Sequence, residues 1–184
     1  MSTGAILAIV LPIVAIVLLA VAAYMIVRHR RLRERFGPEY DRAVEGAGSR
    51  RAAERELSAR EKRHHSLDIK PLPDDVRDRY ARDWDHVQGE FVDRPKEAVH
   101  DADALVTSLM HERGYPTENV AQQFKDLSVE HADTLEHYRA AHEVNRMSTE
   151  QEATTEELRG AMVHYRVLFD ELLANGGRTR HAQA

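Results

Sequence analysis

Two acid-x-x-histidine pairs, Asp83-x-x-His86 and Glu97-x-x-His100, are the sharpest chemical signals in this 184-residue chain of eleven histidines. On a helix that spacing sets a carboxylate and an imidazole on one face, one turn apart, as on the facing helices of di-iron bundles. Chance alone supplies about two such matches in a chain of this composition, so the motif carries little weight. Asp83 and His86 also flank Trp84, away from most of the apolar stripe on their segment. A di-metal site needs two further glutamates pointing inward, and the expectation is therefore solvated histidines, with no metal and no cofactor.

Other chemistry is equally sparse. The chain has no cysteine, which removes thiol nucleophiles, zinc knuckles and iron-sulfur ligation. Glycine never falls into a phosphate-cradling G-x-x-x-x-G-K-[ST] or G-x-G-x-x-G string, and no G-x-S-x-G elbow occurs. With no catalytic motif, the chain is not expected to be an enzyme. Tyr80, Trp84, Phe124, Tyr138, Tyr165 and Phe169 all lie on apolar stripes and read as core. Tyr115, in the turn Arg113-Gly-Tyr-Pro116, lies off any stripe. It either plugs a bundle end or stands open as a partner contact.

The strongest pattern is electrostatic. No residue from Ser2 through Val27 carries a formal charge, and as a helix this segment reaches roughly 39 Å against a hydrocarbon core of ~30 Å. Arg28, Arg30, Arg31, Arg33 and Arg35 follow at once. Short flanks rich in arginine stay on the cytoplasmic side, which predicts an outside N-terminus and a cytoplasmic remainder. A cleavable leader is the rival reading, because Ala20-Val21-Ala22 is a small-x-small triplet. The apolar run is too long for a typical leader and lacks a basic start, so an uncleaved anchor is expected. Within it Pro12 removes a backbone donor and can bend the first turns. Gly4 and Ala8 form a small-xxx-small pair, a weak sign of a second copy alongside.

Charge then divides the rest. Residues 28–66 hold twelve Lys and Arg against seven Asp and Glu, whereas 67–184 hold fourteen against twenty-four. A cationic collar beside anionic headgroups, followed by an acidic domain held off the surface, is the arrangement this implies. Nucleic acid is a poor partner for that acidic part. The expected organisation is a transmembrane anchor over 1–27, a basic juxtamembrane helix or stalk over 28–66, an acidic bundle over 67–175 and a disordered tail over 176–184.

The elements that position these residues are helical throughout. Leu32, Phe36, Tyr40 and Val44 recur every four residues, as a helix continuing out of the membrane would present them, until Gly46-Ala47-Gly48 interrupts it. The run RRAAERELSAREKRHH has only Leu57 as a large apolar residue and predicts a solvated helix. Pro71 and Pro73 end it. Val76, Tyr80, Trp84, Val87 and Phe91 line one face of the next helix. Asp93 can cap a helix opened by Pro95 and buried through Ala98, Ala102, Leu105, Val106, Leu109 and Met110, with Gly114 ending it. Short helices from Thr117 and Ser128 follow, then a polar loop over 144–153. Thr154 and Glu157 form a capping box ahead of Leu158, Ala161, Met162, Tyr165, Leu168, Phe169 and Leu172, before Asn175-Gly176. Nothing alternates as a strand must. The fold class expected is all-α: an N-terminal transmembrane helix, a charged juxtamembrane stalk and a bundle of four to five amphipathic helices.

The strings RRLRERFGPEYDRAV, LDIKP, RYARDWDHVQGEFVDRPKEAVHDADALV, RGYP and TTEELRGAMVHYRVLFDELL together resemble a family of bacterial single-pass membrane proteins, frequent in actinobacteria. The resemblance spans nearly the whole chain. It implies a bacterial plasma membrane and the same architecture, and brings no activity or catalytic residues with it. The function expected is a membrane-anchored interaction or scaffolding module with a protein partner that the sequence does not name. A ligand- or metal-binding bundle around His86 and His100 is the alternative, and a structural envelope or stress protein is the other.

Overall fold

An apolar helix opens the chain, and its described side chains from Leu11 to Val27 are exposed. The computed structural model describes residues 3–150 and 152–174, with side chains described from Leu11 onward except Pro12. Gly4, Ala8, Pro12, Asn175-Gly176 and the expected tail lie outside what is described. The described residues form eight helices and no strand: α1 Thr3–Phe36, α2 Pro38–Ala47, α3 Arg50–His64, α4 Asp74–Glu90, α5 Pro95–Glu112, α6 Val120–Leu127, α7 Ala132–Thr149 and α8 Thr155–Leu173. The all-α expectation holds. The stretch Ile13–Phe36 of α1 is long and apolar enough to cross a membrane, and its most apolar window has no residue covered by protein.

Two compact units divide within α3, after Ser58. In the first, α1 stops at Phe36 where a continuous helix was expected. Gly37 takes φ 45°, and Pro38 opens α2 at its first turn. The reason is local: proline drives its predecessor out of helical geometry, and glycine tolerates positive φ. Gly48, at φ 66°, ends α2 where the glycine pair was expected to break it. Leu32, Phe36, Tyr40, Ala43, Ala53 and Leu57 are buried together in this unit. The charged helix expected here is α3, and it carries one narrow covered stripe, Ala53 and Leu57, while most of its other residues stay exposed or partly exposed.

In the second unit α8 packs on α5 and α7, α4 on α5, and α6 on α7. One core joins Trp84 and Val87 of α4, Val106, Leu109 and Met110 of α5, Leu135 and Tyr138 of α7, and Leu158, Tyr165, Leu168 and Phe169 of α8. Trp84 stacks on Phe169 with ring centroids 4.6 Å apart. The α8 stripe is the expected one, residue for residue, and its capping box is formed, with Thr154 and Glu157 exchanging hydrogen bonds. Three caps differ. Arg94, not Asp93, precedes Pro95; Asn119, not Thr117, caps α6 through its side chain; and α7 starts after His131 rather than at Ser128. The polar loop expected over 144–153 is helical through Thr149, since Asn145 and Ser148 extend the buried face of Tyr138 and Ala141.

After α5 the chain reverses at Gly114, whose φ is 95°. The Tyr115 amide donates to the Met110 carbonyl at 3.0 Å, closing the helix end. A Cβ on Gly114 would meet the Asp68 carbonyl oxygen at 2.3 Å, while one on Gly160, inside α8, would meet nothing within 4 Å. Gly114→Ala is expected to cost about 1–3 kcal/mol, and Gly160→Ala to stabilise by roughly 0.5–1 kcal/mol. Denaturant midpoints of the full chain in detergent check both signs.

Candidate functional site

The arginine cluster sits on the last turns of α1. Arg30, Arg31 and Arg33 are exposed, while Arg28 and Arg35 are partly covered. Arg28 is held from α3: its Nη2 donates to Ser58 Oγ at 3.0 Å and to the Glu54 carbonyl at 3.5 Å. Beside it His29 Nδ1 lies 2.9 Å from the Tyr40 hydroxyl and 3.2 Å from Glu54 Oε1. Tyr40 itself donates to Glu54 Oε1 at 3.1 Å. Burial, then the hydrogen bond to Glu54, push the Tyr40 hydroxyl above its ordinary value. One carboxylate thus ties α1, α2 and α3 together at the point where the apolar helix ends. The sequence reading assigned Arg28 to the membrane surface and missed Glu54, Ser58 and Tyr40, because contacts across 14 to 30 residues leave no local spacing.

Tyr115 takes the plug position. It is 2% exposed, so the expectation of an open partner contact there gives way; the turn at Gly114 swings the ring inward. Its hydroxyl lies 3.2 Å from His131 Nε2 and donates to Glu130 Oε2 at 3.3 Å. His131 Nδ1 is 3.0 Å from Glu171 Oε1. Burial first, then the Glu130 charge, raise the Tyr115 hydroxyl well above its ordinary value. Arg113 Nη1 donates to the Leu172 carbonyl at 3.0 Å, anchoring this turn to the end of α8. Asp126, fully buried, accepts from Arg63 Nε at 3.0 Å and from Gln122 Nε2 at 2.9 Å. These groups fasten a bundle end.

A third cluster crosses the bundle waist. Asp103 of α5 accepts a hydrogen bond from the Tyr165 hydroxyl at 2.8 Å, and its Oδ1 lies 3.1 Å from His142 Nδ1. Three helices meet on one carboxylate again. The hydrogen bond to Asp103 raises the His142 pKa above its ordinary 6.5. Nearby, His137 and His164 stack with their Nδ1 atoms 2.7 Å apart, and burial, then His137, lower the His164 pKa.

The residues of the acid-x-x-histidine pairs are elsewhere. Asp83, His86, Glu97 and His100 are all exposed, and His86 Nε2 is 3.7 Å from Glu90 Oε1 on its own helix. Among the described residues no three His, Asp or Glu side chains converge as a metal ion needs. The aromatic residues assigned to the core are there: Tyr138 meets Phe124 and Tyr165 edge-on. Comparison of the chain with protein-family models, with curated proteins and with solved structures finds no match.

His142 and His164 should move stability in opposite directions with pH. A raised folded value means the His142 contribution is full below about 6.5 and fades as pH rises through that value. A lowered folded value means the fold disfavours protonated His164, so its cost appears as pH falls below about 6.5. His142→Gln is thus expected to destabilise more at pH 5.5 than at pH 8.5, and His164→Gln to gain relative stability at pH 5.5. Melting temperatures at the two pH values read both.

Proposed function

We propose that this chain is a single-pass membrane protein of a bacterial plasma membrane, its N-terminus outside and its helical bundle on the cytoplasmic face. There the bundle serves as an interaction or scaffolding module rather than as an enzyme. The carrying observation is the juxtaposition in α1: an apolar window with no residue covered by protein, followed directly by the exposed Arg30, Arg31 and Arg33. Arginines at the end of a span are retained inside and attract anionic headgroups, each by about 1 kcal/mol. The family resemblance of the sequence supports the same compartment.

What supports a binding role is the use to which the polar side chains are put. Asp103, Asp126, Glu54 and His131 are spent on joining helices to one another. The acidic surplus of residues 67–184 belongs to the solvated faces, and a surface of one sign steers a complementary, basic partner protein. In intact cells, added protease is expected to leave the bundle whole and to digest it only after permeabilisation; digestion in intact cells would reverse the orientation. Gentle solubilisation of the full chain should then bring down one reproducible protein, and recovery of lipid alone would count against the scaffold.

A further inference from the structure

The first unit brings a second group of arginines to the place where α1 leaves its apolar stretch. α1 ends at Phe36, eight residues past Arg28, and the break at Gly37 and the ten residues of α2 separate it from α3. The bonds from Arg28 to Glu54 and Ser58 bring the first turns of α3 back beside Arg28. The result is a groove of about 450 Å³ lined by Tyr24, Met25 and Arg28 of α1 and by Arg51, Glu54 and Arg55 of α3.

We infer that this groove binds the phosphate headgroup of an anionic phospholipid, an inference that rests on α1 spanning the membrane. Three guanidiniums face one carboxylate. That carboxylate is already engaged by His29 and by the Tyr40 hydroxyl, which leaves the cationic wall to a diester or monoester phosphate. Guanidinium is the side chain suited to such an oxyanion, through paired N–H donors. Arg28 is pre-positioned by Ser58, and Arg55 Nε is directed along its own helix to the Arg51 carbonyl at 3.4 Å. Arg51 and Arg55 stand four residues apart, one turn along the same face. On the other wall Tyr24 lies about 6 Å nearer the hydrocarbon than Arg28, and both Tyr24 and Met25 are exposed. Tyr24 and Met25 thus set apolar surface beside the three guanidiniums, the combination that the junction of acyl chain, glycerol and phosphate calls for. No local spacing marks this groove, since Arg51 lies far from the collar in the chain and reads as part of a solvated helix.

The test is retention of lipid by the full chain. Protein purified in mild detergent from membranes containing phosphatidylglycerol and phosphatidylethanolamine is examined by native mass spectrometry, as wild type, as Arg51→Gln/Arg55→Gln and as Arg30→Gln/Arg33→Gln. The wild type is expected to keep phosphatidylglycerol selectively. The α3 pair should lose it about thirtyfold, a change of about 2 kcal/mol, whereas the collar pair, whose headgroup attraction needs the charged surface of an intact bilayer, should change it little in detergent. Equal retention in the α3 variant, or loss only in the collar variant, overturns the groove while leaving the membrane reading intact. Displacement of the lipid by millimolar inorganic phosphate would assign the groove to a free anion and overturn the lipid. Partition of the wild type into the soluble fraction would instead overturn the membrane reading itself.

Discussion

Apolar side chains along α1 have no protein to rest on. Leu11, Ile16 and Leu19 are each more than 60% exposed, and the pattern runs unbroken to Val27. Leaving such a side chain in water forfeits about 1.5–3 kcal/mol apiece, so a helix of this kind is stable only in an apolar medium or against an apolar partner. A bilayer meets the demand over the right length, and it satisfies a second one as well: the helix bonds its own backbone groups, which hydrocarbon cannot do for it. Everything in the first unit follows from where that medium must stop. Arg28 comes directly after the last apolar residue, and the turn at Gly37 comes two helical turns later.

The carboxylate of Glu54 and the guanidinium of Arg28 then decide how the chain behaves once it is outside. A helix continuing straight would carry later arginines away from Arg28 at 1.5 Å per residue. The break at Gly37 and the bonds from Arg28 to Glu54 and Ser58 bring Arg51 and Arg55 back beside it. The cost is that ionisable groups are partly removed from water, and that cost is met because each finds a partner: His29 and Tyr40 on Glu54, Arg28 on Ser58. A juxtamembrane segment that looked like a stalk is thereby a small folded unit with its own apolar contacts at Phe36, Tyr40, Ala53 and Leu57.

Legibility followed the range of the interaction that determines each feature. The α8 helix could be read completely, because its capping box and its stripe from Leu158 to Leu172 are both local signals. The membrane-length apolar helix was equally plain. The break at Gly37-Pro38 is a local signal too, overlooked because the apolar residues on either side keep a four-residue spacing. What no local rule revealed were the joints. Asp103 meets Tyr165 across 62 residues and His142 across 39; Arg63 meets Asp126 across 63. Tyr115 was ambiguous for the same reason, as its burial depends on Glu130 and His131 arriving from the α6–α7 connection and His64 from the end of α3. Polar burial also hid the end of α7, where Asn145 and Ser148 occupy positions that a reading by apolar periodicity treats as loop.

The joints themselves bear on why the bundle has one arrangement. Apolar stripes of similar width on α4, α5, α7 and α8 would tolerate several registers, since dispersion contacts are weak individually and not directional. A half-buried carboxylate such as Asp103 is directional. If α7 slid one turn along α8, or α5 along either, Asp103 would lose His142 or Tyr165 and keep its desolvation cost, an imbalance of about 1–3 kcal/mol for each orphaned group. Such polar joints add little net stability in the native state. They penalise the alternatives instead: within the first unit at Glu54, and within the second at Asp103 and at the turn that holds Tyr115 and Asp126. Uniqueness of register, more than extra stability, is what these half-buried carboxylates supply.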